Sequence, residues 1–197
     1  LAWEIADQAL EAMRFLRERN LPGITNIVLM GMGEPLANTN EVLAAVRTLT
    51  STESGIGISP RRITVSTCGI VPEIDRLGRA GVRVNLAVSL NASTDEVRDR
   101  LMPVNRRYPL RKLLAACRRF PLEARRRITF EYVLLGGVND SEEDADRVVR
   151  LLAGIRCKIN LIPFNPFPGS EFARPSDAAV RRFQQVLLDH RMTAPLR

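Results

Sequence analysis

Polar residues collect where the apolar runs of this chain end. Residues 26–30 (NIVLM) give way to Gly31-Met32-Gly33-Glu34-Pro35, and residues 62–66 (RITVS) to Thr67-Cys68-Gly69. The run at 83–90 closes in Ser89-Leu90-Asn91-Ala92, that at 127–135 leads into Gly136-Gly137-Val138-Asn139-Asp140, and that at 158–164 into Asn165-Pro166-Phe167-Pro168-Gly169. Small, hydroxyl, amide and acidic groups in these places suit a ligand with amine, hydroxyl and carboxylate functions and fit a purely apolar one poorly. Glycine lets backbone groups approach a ligand closely. Pro35 biases Glu34 away from helix, which aims the backbone carbonyls around Gly33-Glu34 at a ligand ammonium. Taken singly each motif has a plainer reading: a turn at Gly-Glu-Pro, a strand-end cap at Ser66, a helix N-terminal residue at Asn91. Taken together, at successive strand ends, the plainer readings weaken.

The elements that must position these groups follow from two alternating patterns. Helical periodicity covers residues 3–19, 40–49, 71–80, 109–120, 142–152 and 177–188, and β-branched or apolar runs occupy 26–30, 62–66, 83–90, 127–135 and 158–164. Strands with few charges separated by helix-length segments imply parallel βαβ units with right-handed crossovers, a barrel or a doubly wound sheet. In such folds ligands bind beyond the carboxyl ends of the strands. Asn40, Ser93 or Thr94, Ser141 and Ser176 stand where helix caps belong. Pro72 falls in the first turn of the 71–80 helix, where its missing N–H is harmless. No linker, repeat or low-complexity segment divides the chain, so residues 1–197 read as a single domain. The chain opens inside a helical pattern, so Leu1 is expected to be an internal position of a longer polypeptide.

The composition narrows the function classes. A chain of 197 residues with 45% hydrophobic residues is long enough for one sizeable core. No apolar run approaches the ~20 residues of a membrane span. Net charge is +7, and lysine occurs only at Lys112 and Lys158, so the cations are almost all arginine. Arginine pairs bidentately with phosphate and stacks on bases, which fits a nucleic-acid partner and fits an arginine-rich solvated surface equally well. Arg61-Arg62, Arg98, Arg100, Arg106-Arg107, Arg118-Arg119 and Arg125-Arg126-Arg127 are the candidate clusters, with Arg106-Arg107 foremost. Cys68, Cys117 and Cys157 are too widely spaced for a disulfide framework or a local metal motif, and reduced thiols point to the cytoplasm. His190 reads as a surface residue.

In order along the chain stand GMGEP, RRITVST-x-G-IVP, LAVSL-x-A, RD-x-LMPVN, ITFEYVLL-x-GVND and CK-x-NLIPFNPFPG. These six motifs closely resemble the RlmN family, radical S-adenosylmethionine enzymes that methylate adenine C2 in 23S rRNA and tRNA. The resemblance implies an α/β fold, a partial (β/α)6 radical-SAM-type barrel truncated at both ends, in a cytoplasmic, monomeric enzyme served by an electron donor and independent of membranes. It implies S-adenosylmethionine and a [4Fe-4S] cluster as cofactors. It assigns Gly33 and Glu34 to the methionyl amine, Ser66 to a contact from the next strand, Ser89-Leu90-Asn91 to the strand-end triplet, and Asn165 to the amide of the last strand. There are three departures. The CxxxCxxC cluster motif is absent and is expected shortly before Leu1. The C-terminal methyl-carrying cysteine is absent too. Asn91 and Cys68 replace the family's usual histidine and serine. The chain alone is therefore expected to be inactive, with no catalytic or metal-binding residue of its own. A Cfr-like adenine C8 methyltransferase and a non-catalytic RNA-binding remnant are the alternative readings.

Overall fold

The computed structural model describes residues 1–53 and 55–197. Five strands form one parallel sheet in the order β1-β2-β3-β4-β5: Ile27–Leu29, Ile63–Thr67, Asn85–Ser89, Ile128–Leu134 and Cys157–Pro163. Among the described residues seven α-helices accompany them: α1 (Ala2–Glu18), α2 (Thr39–Thr50), α3 (Val71–Arg79), α4 (Asp95–Leu101), α5 (Leu110–Arg119), α6 (Glu142–Leu152) and α7 (Asp177–Asp189). The alternation expected from the sequence is thus present as a partial α/β barrel. No closure of the sheet occurs among the described residues.

One face of the sheet carries the helices and the core. In β4 the buried residues Ile128, Phe130, Tyr132 and Leu134 alternate with half-buried Thr129, Glu131 and Val133, because successive side chains of a strand point to opposite faces. Phe130, Tyr132 and Phe183 are fully enclosed, and burying side chains of this size stabilises by about 1.5–3 kcal/mol each. Tyr132 stacks tilted on Phe183 at 5.1 Å between ring centroids. The register of the opposite, concave face brings Ser89 beside Glu131, Glu131 beside Asn160, and Val133 beside Ile162.

Three of the expected caps hold: Thr94, Ser141 and Ser176 accept from the N–H of Val97, Asp144 and Ala179. The expectation at Asn40 fails. A 3-10 turn over Pro35–Asn38 runs straight into α2, whose N-cap is Asn38, so Asn40 lies inside the helix, where its side chain accepts from Arg76. Ser93 is not a cap either: it donates to Asp144 on α6.

Candidate functional site

At the carboxyl ends of the strands a cleft of about 460 Å³ opens on the concave face, lined by Met30, Gly31, Gly33, Glu34, Pro35, Ser66, Thr67, Cys68, Ser89, Asn91, Glu131, Val133 and Ile162. That volume is in the range of small-molecule sites. A larger concavity of about 650 Å³ lies between α1 and β1. It is walled mostly by apolar residues such as Ile5, Ala9, Ile27 and Leu29, and it takes in only the β1 end of the strand-end array.

The cleft begins at the Gly31–Glu34 loop. Gly33 has φ +110°, a conformation that side chains rarely adopt, and a Cβ there would meet only open space, so backbone faces the cleft at this point. The Glu34 side chain is a staple: Oε1 accepts from Leu36 N at 2.8 Å and Oε2 from Cys68 N at 2.5 Å. Its carbonyl accepts from Ala37 N at 3.0 Å. The sequence reading offered the carbonyls around Gly33-Glu34 to an ammonium. In the structure Glu34 is already engaged, while the Met32 and Gly33 carbonyls accept no backbone hydrogen bond among the described residues.

The β2 and β3 ends are clamped by a guanidinium. Arg98 on α4 is fully buried. Its Nε donates to Leu90 O at 3.0 Å, Nη2 to Cys68 O at 2.7 Å and to Ser89 O at 2.9 Å, and Nη1 to Asn105 Oδ1 at 3.0 Å. Burial lowers its pKa to about 10, opposed by Cys68, Asp95 and the charges around them. Asn105 in turn donates to Asp95 and Asp99, so the cation's field reaches two carboxylates through one amide. Arg98 therefore leaves the set of RNA-binding candidates: with no exposed surface, it cannot reach a phosphate.

Asn91 takes φ +55°, a left-handed conformation that asparagine tolerates better than most residues. Its Oδ1 accepts from Val133 N at 3.0 Å, and its Nδ2 approaches Met102 sulfur at 3.4 Å. Asn139 locks this corner, donating to the carbonyls of Asn91 and Val133 at 2.8 Å each and accepting from Leu135 N at 2.7 Å. Tyr132 OH donates to Asn139 O at 2.9 Å.

Of the residues singled out from sequence, Gly33, Glu34, Ser66, Ser89 and Asn91 line one cleft. Leu90 does not: its side chain is buried in the core, and its backbone is committed to Glu131 O and Arg98. Asn165 stands outside it, exposed on the loop after β5 with Oδ1 accepting from Arg174 at 2.6 Å. The roles of two residues escaped the sequence reading. Arg98 shares a face of α4 with Val97 and Leu101, and an arginine in an apolar stripe was the available signal. Glu131 occupies the concave phase of the β4 alternation, in mid-strand where only strand ends had been searched.

The residues fit the two implied cofactors unequally. Free carbonyls, hydroxyls and a half-buried carboxyl match the polar groups of S-adenosylmethionine, and Val133 and Ile162 offer an apolar wall for its base. An iron–sulfur cluster needs thiolates. Burial pushes the thiols of Cys68 and Cys117 up to about 12 and that of Cys157 up to about 11, with Glu34 adding to the effect at Cys68. No group of three or more His, Cys, Asp or Glu able to hold a metal ion occurs among the described residues. The cluster does not fit them.

Comparison with known proteins agrees with the fold. Residues 3–149 match the model of the radical SAM superfamily, and the chain belongs to that superfamily. More narrowly, relatives named dual-specificity RNA methyltransferase RlmN are similar over most of it. The Pelobacter propionicus protein is 58% identical over 170 residues, covering 86% of this chain and 49% of the relative. That of Syntrophobacter fumaroxidans is 54% identical over 196 residues, covering 100% of this chain and 56% of the relative. The chain thus spans about half the length of the curated relatives it matches. The crystal structure of a radical SAM methyltransferase from Sphaerobacter thermophilus superposes with TM-score 0.93 at 49% identity, over 100% of this chain and 57% of that one. A domain of pyruvate-formate lyase-activating enzyme from Bacteroides vulgatus, 19% identical with TM-score 0.65 over 88% of this chain and 99% of its own, shares the fold.

Proposed function

We propose that this chain is the S-adenosylmethionine-binding domain of an enzyme that methylates adenine C2 in 23S rRNA and tRNA by radical chemistry. The observation that carries the reading is the convergence of Gly33, Glu34, Ser66, Ser89 and Asn91 on one cleft at the carboxyl ends of consecutive strands. In this reading the Met32 and Gly33 carbonyls receive the methionyl ammonium. The hydroxyls of Ser66 and Ser89 meet the polar groups along the ligand, and Val133 and Ile162 flank the adenine. Asn91, engaged with Val133 N, shapes the rim. When bound, S-adenosylmethionine supplies the methyl group and the radical-forming chemistry that an electron-poor aromatic carbon demands. This chain's residues hold it, orient it and exclude water around it.

The cluster ligands and the methyl-carrying cysteine lie outside these 197 residues in this reading, and an electron donor serves the whole protein, a cytoplasmic monomer. No helix among the described residues is long and apolar enough to cross a membrane. Arg106 and Arg107 are exposed beside the turn containing Asn105 and are the proposed RNA contacts. The target adenine must be unstacked to reach the cleft.

Disrupting the gene and digesting 23S rRNA and tRNA to nucleosides for mass spectrometry tests the proposal. Loss of 2-methyladenosine, restored by the intact gene, supports it. Loss of 8-methyladenosine instead moves the chemistry to C8. No change in either nucleoside overturns it.

A further inference from the structure

Arg61 and the run Arg125-Arg126-Arg127, far apart in sequence, meet in the fold at the amino ends of the strands, the end of the sheet remote from the cleft. A recess of about 470 Å³ opens there, lined by these arginines and by Lys158. Its floor is polar. Thr64, Asn85 and Thr129 come from β2, β3 and β4, and Thr129 is the register partner of Lys158 on β5. The recess and the cleft share no lining residue: Glu131, two positions along β4 from Thr129, already belongs to the cleft.

No carboxylate lines the recess. Glu123 is divided among Arg126 at 3.0 Å, Arg83 at 3.4 Å and Arg61 at 4.0 Å, so one negative charge answers three positive ones. Arg126, its side chain 13% exposed, is also held by the Arg83 carbonyl and forms a fixed wall. Arg127 donates to a neutral partner, Thr193 Oγ1, at 2.9 Å. Arg125 and Lys158 form no hydrogen bond or ion pair among the described residues, and neither do the hydroxyls of Thr64 and Thr129. The field of Lys158 reaches Glu131, without contact. Cations gathered in a recess repel one another and focus their field on an entering counter-charge. Guanidinium and ammonium groups are donors without acceptors. A carboxylate brings two oxygens to such donors, whereas a phosphate group brings three or four. Donors standing on several sides of one recess therefore match phosphate better.

We propose that this recess is a phosphate-binding site, separate from the cleft, in which Arg125, Arg127 and Lys158 pair with the phosphoryl oxygens and the Thr129 hydroxyl donates to one of them. That chemistry has two sources, a free oligophosphate and the phosphodiester of an RNA strand. Calorimetric titration of the chain with inorganic pyrophosphate reads the first. Fluorescence anisotropy with a short labelled single-stranded RNA, from about 50 to 200 mM salt, reads the second. R125A/K158A should bind the responding probe at least about tenfold more weakly. With RNA, the salt slope should also shrink by roughly 0.7 for each cation removed. T129V keeps the charge and nearly the shape, and should weaken the same probe by roughly tenfold. R14A/R17A removes equal charge from the exposed face of α1; it should leave pyrophosphate binding unchanged and cost RNA less than R125A/K158A. Melting curves establish that the variants fold; should R125A/K158A not fold, T129V decides. A response to pyrophosphate alone identifies a free oligophosphate as the ligand, and a response to RNA alone identifies the phosphodiester. Binding of neither probe by the wild type, or losses in R125A/K158A no greater than those in R14A/R17A, overturns the site. Either result leaves the reading of the cleft untouched.

Discussion

Across β2, β3 and β4 the wall of the cleft is built of buried side chains that bond to backbone. Arg98 gathers the ends of two strands, and Asn139 ties the third to Asn91. At β1 the construction is different. Val28 is 52% exposed and Met32 fully so, and the loop is tied to β2 by one side chain, Glu34. The same rule of fold, ligands beyond the carboxyl ends, is thus met by a wall cross-linked by buried hydrogen bonds, the rigid side, and by a more exposed wall at β1. Buried polar networks are strong when every member is satisfied and costly when one is lost. The rigid side should therefore break under single substitutions that the β1 side absorbs.

Replacing Arg98 with Ala should have the largest effect. Four acceptors lose their donor, and denaturant unfolding should show a loss above about 3 kcal/mol. A loss no greater than that of a surface residue would erase the contrast. N139A follows, at about 2–3 kcal/mol by the same measurement, since two carbonyls and the Leu135 N–H go unpaired. E34A removes the tie between the sides and should cost about 2 kcal/mol, with faster proteolysis of the 31–38 loop as the local readout. Asp144 tests the far end of the rigid side. Burial alone would raise its pKa, but hydrogen bonds from Ser93, Arg147 and Ser141, with the Arg147 charge, outweigh burial and hold it below the usual carboxylate range. A depressed folded pKa gives stability that is present above the unfolded value and lost as pH falls through the folded one. Unfolding followed from pH 6 down to pH 2 should therefore show a smaller acid-induced loss in D144N than in the wild type. Met32→Ser should be the smallest change, within about 0.5 kcal/mol, and a larger cost would mean that the β1 side is more ordered than its exposure implies.

The order and type of the elements were legible because strands and helices differ in hydrophobic period, and β4 and α6 came out nearly to the residue. The α2 start was misjudged by its cap because Pro35 opens a 3-10 turn that feeds the helix directly, a continuity that no local cap signal encodes. The rim residues Ser66, Ser89 and Asn91 were legible as strand ends. Leu90 and Asn165 were carried along by motif, and motif does not tell which way a side chain turns. Arg98 was read as a surface cation because charge is the first property of arginine. Its work as a clamp making four hydrogen bonds depends on carbonyls contributed by two other segments, which sequence does not bring together. Glu34 was singled out for the carbonyls around it, but its carboxylate partners sit at Leu36 and Cys68, and the second contact is set only by the β1–β2 register.

Each strand of the sheet after β1 pairs with the strand synthesised just before it. Growth from the ribosome can therefore be vectorial: every βα unit emerges to find its docking edge already made, and no early segment waits for a distant one. Residues 193–197 follow α7, and their backbone bonds to Ile159 and Leu161 on the outer edge of β5. Protease protection during translation should spread from β2 toward β5, and reach the 193–197 edge only after β5.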